Sequence, residues 1–453
     1  MTRSSDDTAD GDSVSDSERT SAEATDPPYD VMLSRTEAAG RVHDLRRSVL
    51  ADRATETVSL SELSGRTLAA DVVATDDQPP RSHATMDGFA FDATDDYPLR
   101  LRDDSVYPED QPPDLDVGEA VRIATGAPLP EGANAVLKRE EATVEGESEG
   151  DDRADRLSGP PLEPWTYVYR RGSNVAAGET LFTAGERLSA KDAILLRDLG
   201  HDSVEVHERF SVALLATGTE IHEGRHTDLD SPMLAALVRS WGHEATYEGS
   251  VPDDYETVRD RVADLAAAYD VVVTTGGTSV GKKDYAVRAL SDLGEVLFHR
   301  VRVRPGKPIA VARLPDQDAV AFAIPGKPVG AHTITTLVAR PFFAGDRPLP
   351  SIPATLTRGF DIGAEGFDYV VPVTLSGGIE VGGRDGDEGD ETVTEALPLG
   401  HVDSPLTVYD ETFDPSVLSS STRATRADGF VVTDSGLDAG TEVDVVPYDA
   451  VER

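Results

Sequence analysis

The stretch DVVVTTGGTSVGKKDY, residues 270 to 285, joins an apolar run to a pair of glycines and then to an acid. Two more apolar runs, SVALLAT (211–217) and AVAFAI (319–324), are also followed by small residues. Helical stretches such as PMLAALVRSW and YETVRDRVADLAAAY separate the runs. This alternation predicts an α/β domain over residues 209–346, with a parallel-type sheet and crossover helices.

The sequence before this domain predicts an N-terminal and linker region over residues 31–208. Ser34 and Glu37 have the spacing of a capping box, which predicts a helix through about Val49. Residues 65–92 are extended and Pro-rich, and residues 119–138 have the pattern of a compact strand and turn segment. Residues 1–30 are acidic and Ser-rich without an apolar core, so we expect a disordered leader and neither a signal peptide nor a membrane anchor.

The sequence after the α/β domain consists of short alternating runs with Gly and Asp turns, and it predicts a small C-terminal β-domain over 350–453. Within it, the segment SGGIEVGGRDGDEGDET (376–392) is typical of a solvated hairpin insertion. The fold class that we predict is therefore multidomain α/β plus β.

Composition narrows the possible functions. The 42 Lys and Arg residues stand against 84 Asp and Glu, a formal charge of -42 that argues against a duplex-binding surface. The same excess, with only 6% aromatic residues, fits a halophilic protein kept soluble in high salt. The absence of cysteine excludes disulfides and thiolate chemistry. No apolar run approaches the roughly 20 residues that span a bilayer, so we expect a soluble cytoplasmic protein.

The ends of the predicted parallel strands are the candidate ligand site, because loop amides and helix N-termini converge there. Gly276 and Gly277 could form an anion-binding nest, although a tight turn without a ligand is the simpler interpretation. The cations of RVRVRPGKP (300–308) favour an anionic ligand, because Arg304 and Lys307 stand in a strongly acidic chain. Lys327, before Pro328, places another cation after a third strand.

Carboxylate side chains also occur in or near these loops. Glu220, Asp230 and Asp284 follow successive strands, where they could hold Mg²⁺ or position water for cleavage of a phosphoanhydride. His222 and His226 have the spacing of a metal pair, but the glycine between them makes a helix doubtful, and we do not favour a zinc site.

Six motifs in one order resemble the MoeA and gephyrin E-domain family over about residues 31 to 450. They are TMDGFA (85–90), RIATGAPLPEGA (122–133), RRGSN (170–174), TGGTSVGKKDY (275–285), RPGKP (304–308) and PGKP (325–328). The GGTS element alone would also fit the adenylyltransferase relatives that share the α/β domain.

The resemblance implies an elongated homodimer whose clefts form between subunits. Each subunit would have a linker domain, an inserted β-domain over about 72–162, a molybdopterin-binding α/β domain and a C-terminal β-barrel-like domain. It implies that adenylylated molybdopterin receives molybdate, or tungstate, and that Mg²⁺-dependent hydrolysis releases AMP. Molybdopterin adenylyltransferase and apo-molybdoenzymes would be partners; nucleic acid and membrane would not.

The resemblance also assigns roles to the matching residues. Asp87 and Thr125 would face the cleft from the partner subunit, and Glu220, Asp230 and Asp284 would serve metal binding or phosphate cleavage. The substrate would lie among Gly276, Gly277, Ser279, Arg304, Lys307, Pro325, Lys327 and Pro328.

Several positions depart from the family pattern. Thr219 replaces the acid of Gly-Asp-Glu, Pro232 replaces the amide of Asp-x-Asn, and Lys327 replaces the Asn of Pro-Gly-Asn-Pro. The departures leave two alternatives to the metal-inserting transferase. One is a non-catalytic pterin-binding or scaffolding paralogue, and the other is a molybdopterin adenylyltransferase, for which the N-terminal and C-terminal regions would be unnecessary.

Overall fold

The computed structural model describes residues 32–146, 155–277, 285–377 and 394–453. The predicted leader therefore lies outside the described residues, as do Ser279, Asp284 and nearly all of the predicted hairpin insertion. No helix in the described parts of the chain is both long and apolar enough to cross a membrane.

The first part of the chain forms a linker unit that begins with a long helix. Its first elements are α1 (Arg35–Ala51), β1 (Thr55–Ser59) and β2 (Val72–Val73). The capping box is confirmed, because the Ser34 hydroxyl accepts from the Glu37 amide and the Glu37 carboxylate accepts from the Ser34 amide. The buried positions Ala38, Val42 and Leu45 of α1 follow helical spacing.

A β-unit is inserted into the linker unit. Its strands are β3 (His83–Ala84), β4 (Gly88–Phe91), β5 (Leu99–Val106), β6 (Glu119–Ile123), β7 (Ala135–Lys138), β8 (Thr143–Glu145), β9 (Arg156–Ser158) and β10 (Val168–Tyr169). Six of them form one sheet in the order β7-β4-β6-β5-β9-β8, and β3 pairs with β10. The chain then returns to the linker unit through β11 (Thr180–Phe182), α2 (Asp192–Asp198) and β12 (Ser203–His207). β11 pairs with β2 and β12 with β1, so segments on both sides of the insertion build the linker unit.

The α/β domain follows. Its elements are β13 (Ser211–Thr217), α3 (Thr219–His222), α4 (Asp230–Ser240), β14 (Glu244–Val251), α5 (Tyr255–Ala266), β15 (Val271–Thr275), α6 (Tyr285–Leu293), β16 (Glu295–His299), β17 (Val303–Arg304), β18 (Ala310–Leu314), β19 (Ala319–Ile324), α7 (Pro328–Ile334) and α8 (Arg340–Ala344). The sheet order is β14-β13-β15-β19-β18-β16.

Strands β14, β13, β15 and β19 are parallel, as predicted. Strand β18 pairs antiparallel with both of its neighbours, β19 and β16. A tight turn at residues 315–318, with Asp318 in the left-handed region at φ 51°, joins β18 to β19 and makes this edge antiparallel. The N-terminal helix is part of this domain's core, because Val42 and Leu45 pack in the same cluster as Phe210 and Trp241.

The C-terminal unit is a second β-rich layer, as predicted. Its elements are β20 (Ile352–Leu356), β21 (Asp368–Ser376), β22 (Glu395–Pro398), β23 (Gly400–His401), β24 (Thr407–Tyr409), α9 (Pro415–Leu418), β25 (Gly429–Thr433), β26 (Glu442–Pro447) and α10 (Tyr448–Glu452). Its main sheet has the order β17-β21-β22-β20-β26-β25, with β21 also paired to β25, a closure that makes it barrel-like. Strand β17 thus belongs to the C-terminal sheet although it lies within the α/β sequence.

Candidate functional site

A cavity of about 610 Å³ opens at the carboxyl ends of β13, β15 and β19. It is lined by Thr217, Gly218, Glu220, Ile221, Asp253, Thr275, Gly276, Gly277, Arg304, Pro305, Gly306, Lys307, Pro308, Pro325, Gly326, Lys327, Gly330, Pro415, Ser416 and Ser419. The cavity therefore joins the loops of the α/β domain to a wall of the C-terminal unit. Its position is where ligands bind in open α/β sheets.

The glycine pair after β15 is required by close packing of neighbouring backbone. Gly276 has φ 87°, and a Cβ there would lie 2.5 Å from the Thr217 carbonyl oxygen. Gly277 has φ 63°, and a Cβ there would lie 3.0 Å from the Thr217 hydroxyl oxygen. The Gly276 amide is also held, since it donates to the Ile324 carbonyl at 3.0 Å. Any larger residue at these positions would move the floor of the cavity.

Two cations of the cavity contact an aromatic ring instead of an acid. The Arg304 guanidinium lies 4.1 Å, and the Lys307 ammonium 5.9 Å, from the centre of the Phe367 ring. Neither side chain forms an ion pair with any residue that the structure describes. Their positive charge therefore stays available to an anion in the cavity.

Strand pairing fixes the position of Phe367. β17 pairs with β21 in parallel, with Val303 opposite Asp368 and Arg304 opposite Tyr369. The Asp368 amide also donates to the Arg302 carbonyl at 2.8 Å. The aromatic side chain is thus placed beside the cations by the backbone register of the C-terminal sheet.

Lys327 makes a different contact. Its Nζ donates to the Ser416 carbonyl at 2.9 Å and so connects the loop after β19 to the C-terminal unit. Pro325 lines the cavity, whereas Pro328 begins helix α7 and does not. The lysine that replaces asparagine in this motif therefore holds the two walls of the cavity together.

Asp230 is a buried carboxyl group behind the glycine loop. It is only 5% exposed, and its Oδ2 accepts from the Thr275 hydroxyl at 3.4 Å, while its buried Oδ1 has no hydrogen-bond partner in the described parts of the chain. Burial, followed by the neighbouring Asp228 carboxylate, raises the pKa of Asp230 to about 6. The unpartnered oxygen could therefore bind a cation, or accept a proton from a ligand.

The carboxylates near the cavity are the candidate ligands of the predicted Mg²⁺. Glu220 lines the cavity and Asp230 offers a free oxygen, but the described residues contain no group of three acids or histidines arranged to hold a metal ion. Mg²⁺ is commonly bound by one or two carboxylates with substrate phosphates completing the shell. Glu220 can supply one such carboxylate from the cavity lining, whereas Asp230 is buried behind the glycine loop and does not line the cavity; Asp284 lies outside the described residues.

The spacing of His222 and His226 resembles that of a metal-binding pair, but the structure places both side chains at the exposed surface. The Nδ1 atom of His222 lies 2.8 Å from the Ser250 carbonyl oxygen, and both His222 and His226 are exposed. The structure provides no third ligand near them within the described residues.

Asp87 and Thr125 are brought together, but not in this cavity. The amide and the hydroxyl of Thr125 both donate to Asp87 Oδ1 at 2.7 Å. The amide bond and then the hydroxyl bond hold the pKa of the Asp87 carboxyl below its usual value. Both residues lie in the inserted β-unit, and neither lines the cavity of its own chain.

The departures from the family motifs are accommodated locally. The Thr219 hydroxyl accepts from the Asp253 amide at 3.0 Å, so it secures two loops at the mouth of the cavity. Pro232 is exposed in the first turn of α4, where a proline removes no helical hydrogen bond.

The sequence did not predict the part of the site that the C-terminal unit supplies. Phe367, Ser416 and Ser419 come from the C-terminal unit, which was predicted only as a β-domain. It also missed Asp228, whose Oδ1 accepts from the amides of Asp230 and Ser231 at the start of α4. The spacing of Asp228 before an apolar helix is a capping signal that could have identified it.

The fold and the cavity define a multidomain α/β protein with a site suited to an anionic ligand. Residues 33–200 match the family model described as the MoeA N-terminal region, domains I and II. Residues 213–345 match the model described as a probable molybdopterin binding domain.

Known proteins with similar sequences agree with these matches. The chain is 30% identical over 317 residues to the molybdopterin molybdenumtransferase of Synechococcus elongatus, across 65% of this chain and 76% of that protein. It is 31% identical over 318 residues to the molybdopterin molybdenumtransferase of a Nostoc species, across 66% and 71%. A crystal structure of the molybdopterin biosynthesis MoeA protein from Pyrococcus horikoshii matches with a TM-score of 0.60 and 27% identity, over 92% of this chain and 99% of that chain. The chain belongs to the molybdopterin molybdenumtransferase family.

Proposed function

We propose that this protein is a molybdopterin molybdenumtransferase, which inserts molybdate or tungstate into adenylylated molybdopterin and releases AMP. The observation that carries the proposal is the cavity at the strand ends, where Arg304 and Lys307 have no acidic partner among the described residues of a chain of formal charge -42. A nucleotide-linked pterin and an oxyanion are both anionic, and such groups need local cations in an acidic protein.

The residues of the cavity have different roles in binding the substrate. Gly276 and Gly277 line the cavity and would lie against the phosphate, while Arg304 and Lys307 would hold phosphate and oxyanion. Ser279, near the same loop, would contact the ligand. Pro325 and Pro328 fix the entry to α7, so that Lys327 bridges to the opposite wall.

The chemical step is hydrolysis of the phosphoanhydride. Water adds to one phosphorus atom, the bridging P–O bond breaks, and AMP leaves while molybdopterin keeps its own phosphate. Glu220, Asp230 and Asp284 would hold Mg²⁺ and the attacking water, and Asp230, whose pKa is raised to about 6, would accept a proton from that water. Mg²⁺, when bound by Glu220 and Asp230, would neutralise charge on the phosphates.

The site is completed by a second copy of the chain. Asp87 and Thr125 form a hydrogen-bonded pair on the inserted β-unit, yet they do not reach the cavity of their own chain. In a homodimer they face the cavity of the partner subunit. The adenylyltransferase that makes the substrate and the apo-molybdoenzymes that receive the product are the expected partners, in a cytoplasm of high salt.

The direct test is release of AMP by the purified protein in molar KCl, given adenylylated molybdopterin, Mg²⁺ and either molybdate or tungstate. Release that depends on the oxyanion would support the transferase and name its metal. Tight binding of adenylylated molybdopterin without release would replace it with the pterin-binding paralogue. Consumption of ATP with free molybdopterin would indicate an adenylyltransferase.

A further inference from the structure

Two aromatic residues, Trp165 and Tyr169, lie exposed on one segment of the inserted β-unit, just before and within β10. Trp165 is 42% exposed and Tyr169 is 40% exposed. The chain has only two tryptophans, and the other, Trp241, is buried. Large aromatic rings on a surface commonly serve recognition, because they offer a wide apolar face at little cost in side-chain entropy. The two rings are therefore candidates for contact with a ligand.

The backbone of this segment adopts angles that disfavour bulky side chains. Trp165 has φ 72° and Tyr167 has φ 55°, both in the left-handed region. Hydrogen bonds hold this conformation, since the Trp165 amide donates to the Asn134 carbonyl at 2.6 Å and the Thr85 amide donates to the Tyr167 carbonyl at 2.9 Å. Glycine or asparagine would adopt these angles at lower cost than an aromatic residue. Aromatic residues at such positions indicate that the rings have a function besides folding.

Cations lie over two rings of the segment. The Arg170 guanidinium is 4.5 Å from the centre of the Trp165 ring, and the Lys138 ammonium is 4.4 Å from the centre of the Tyr167 ring. Arg170, the first residue of the RRGSN motif, forms no ion pair within the described ranges, whereas its neighbour Arg171 is paired with an aspartate. Rings with unpaired positive charge beside them suit a planar ligand that carries negative charge. The name aromatic surface is used below for Trp165, Tyr167, Tyr169 and Arg170.

The aromatic surface borders Asp87. The hydrogen bond from the Thr85 amide to the Tyr167 carbonyl connects the surface to the loop that carries Asp87. The Asp87 carbonyl in turn accepts from the amide of Arg139, the residue after Lys138, at 3.2 Å. Arg139 also forms no ion pair in the part of the chain that the structure describes. Because the proposed function brings Asp87 to the cavity of the partner subunit, the aromatic surface would come to that cavity with it.

We propose that the aromatic surface stacks against the adenine ring of adenylylated molybdopterin bound in the cavity of the partner subunit, and that Arg139 and Arg170 supply positive charge to its phosphate. The inference rests on the proposed function, because the homodimer carries the surface to the substrate. Residues 213–345 match the probable molybdopterin binding domain, so the pterin half belongs to the α/β cavity and the nucleotide half is left to the inserted β-unit. Stacking on a ring holds a purine without an acid that would repel its phosphate.

Titration of the full chain with AMP in molar KCl tests the stacking directly, because Trp165 is the exposed one of the two tryptophans. We expect AMP to quench part of the tryptophan fluorescence and the quenching to saturate. Trp165→Asn removes the ring and introduces a residue that tolerates the left-handed backbone, so it should fold like the wild type. Its Kd for AMP, measured by equilibrium dialysis, should rise by at least about fivefold. Trp165→Phe keeps a ring and should bind AMP within about twofold of the wild type.

Matched controls separate stacking from other effects. Tyr247→Leu removes a 49% exposed ring from β14, outside the inserted β-unit, and should leave the Kd for AMP unchanged. Ribose 5-phosphate, which lacks the base, should bind the wild type and Trp165→Asn equally. An equal Kd for AMP in these two proteins would overturn the proposal, as would a loss of affinity for ribose 5-phosphate as large as that for AMP. A loss confined to neopterin would assign the surface to the pterin half and overturn it too.

AMP release from adenylylated molybdopterin, assayed on the same proteins, tests the proposed function separately. Oxyanion-dependent release by the wild type, with an unchanged Kd for AMP in Trp165→Asn, would refute the aromatic surface and leave the transferase standing. Absence of release, with AMP binding that depends on the Trp165 ring, would refute the transferase and support the surface as a nucleotide site.

Discussion

The guanidinium of Arg304 lies 4.1 Å from the ring centre of Phe367, which places a residue of the C-terminal unit against a cation of the α/β cavity. The two segments are neighbours because β17 joins the C-terminal sheet beside β21. A ring holds the cation in place without neutralising it, whereas a carboxylate would compete with an anionic substrate. The C-terminal unit therefore takes part in the site.

Replacing Phe367 with leucine should weaken substrate binding and leave the chemical step nearly intact. Loss of the cation–π contact with Arg304 should raise KM for adenylylated molybdopterin by about fivefold, with kcat changed little. Phe367→Tyr keeps the ring and should behave like the wild type. Steady-state AMP release measures both constants, and a fall in kcat alone would contradict this role.

The two lysines of the cavity should differ in importance. Because Lys327 Nζ is engaged by the Ser416 carbonyl, Lys327→Asn should keep kcat/KM for AMP release within about threefold. Lys307→Asn removes a cation that has no acidic partner in the described parts of the chain, and it should lower kcat/KM by more than about tenfold. Equal losses in the two variants would show that Lys327 also holds the substrate.

Asp230 should destabilise the fold at neutral pH. Its folded pKa of about 6 exceeds the ordinary value of 3.8, so the folded state loses stability as pH rises from about 4 to 6. Asp230→Asn should therefore raise the free energy of unfolding at pH 7 to 8 by about 2–3 kcal/mol, and the gain should vanish below pH 4. Denaturant unfolding across pH measures it, with the exposed Asp264→Asn on α5 as control.

The same variant tests the metal. If Asp230 is a Mg²⁺ ligand, Mg²⁺ should raise the Tm of the wild-type protein and of Asp264→Asn but not that of Asp230→Asn. A rise of equal size in all three proteins would remove Asp230 from the metal site.

Much of the α/β domain could be predicted from sequence, because its strands are continuous apolar runs such as Val271–Thr275 followed by glycines with a structural requirement. The capping box at Ser34 could also be predicted, because it depends on two residues that are three positions apart in the sequence. The antiparallel edge of the sheet, at β18 and β16, could not be predicted. A short turn near Asp318 decides the direction of the strand and leaves the apolar pattern unchanged.

The sequence predicted only part of the site, because several of its contacts join residues far apart in the chain. Cations such as Arg304 stand out locally in an acidic sequence, but Phe367 lies beside them because of a pairing between strands whose partner residues, such as Arg304 and Tyr369, are 65 positions apart. The contact of Lys327 with Ser416 spans 89 positions. Such long-range pairings leave no periodic signal in the chain, so only the folded structure reveals them.

The central claim is that one transferase site combines the cavity of one subunit with Asp87 of its partner, and mixed dimers test it most directly. Asp87→Asn and Lys307→Gln proteins, each expected to have less than a tenth of wild-type activity alone, are unfolded together, refolded as a 1:1 mixture and assayed for oxyanion-dependent AMP release at saturating wild-type substrate. Half of the dimers are then mixed, and each mixed dimer has one intact site, so the account predicts about one quarter of the wild-type rate. A mixture no more active than its two parents, from proteins that refold normally, would contradict the shared site.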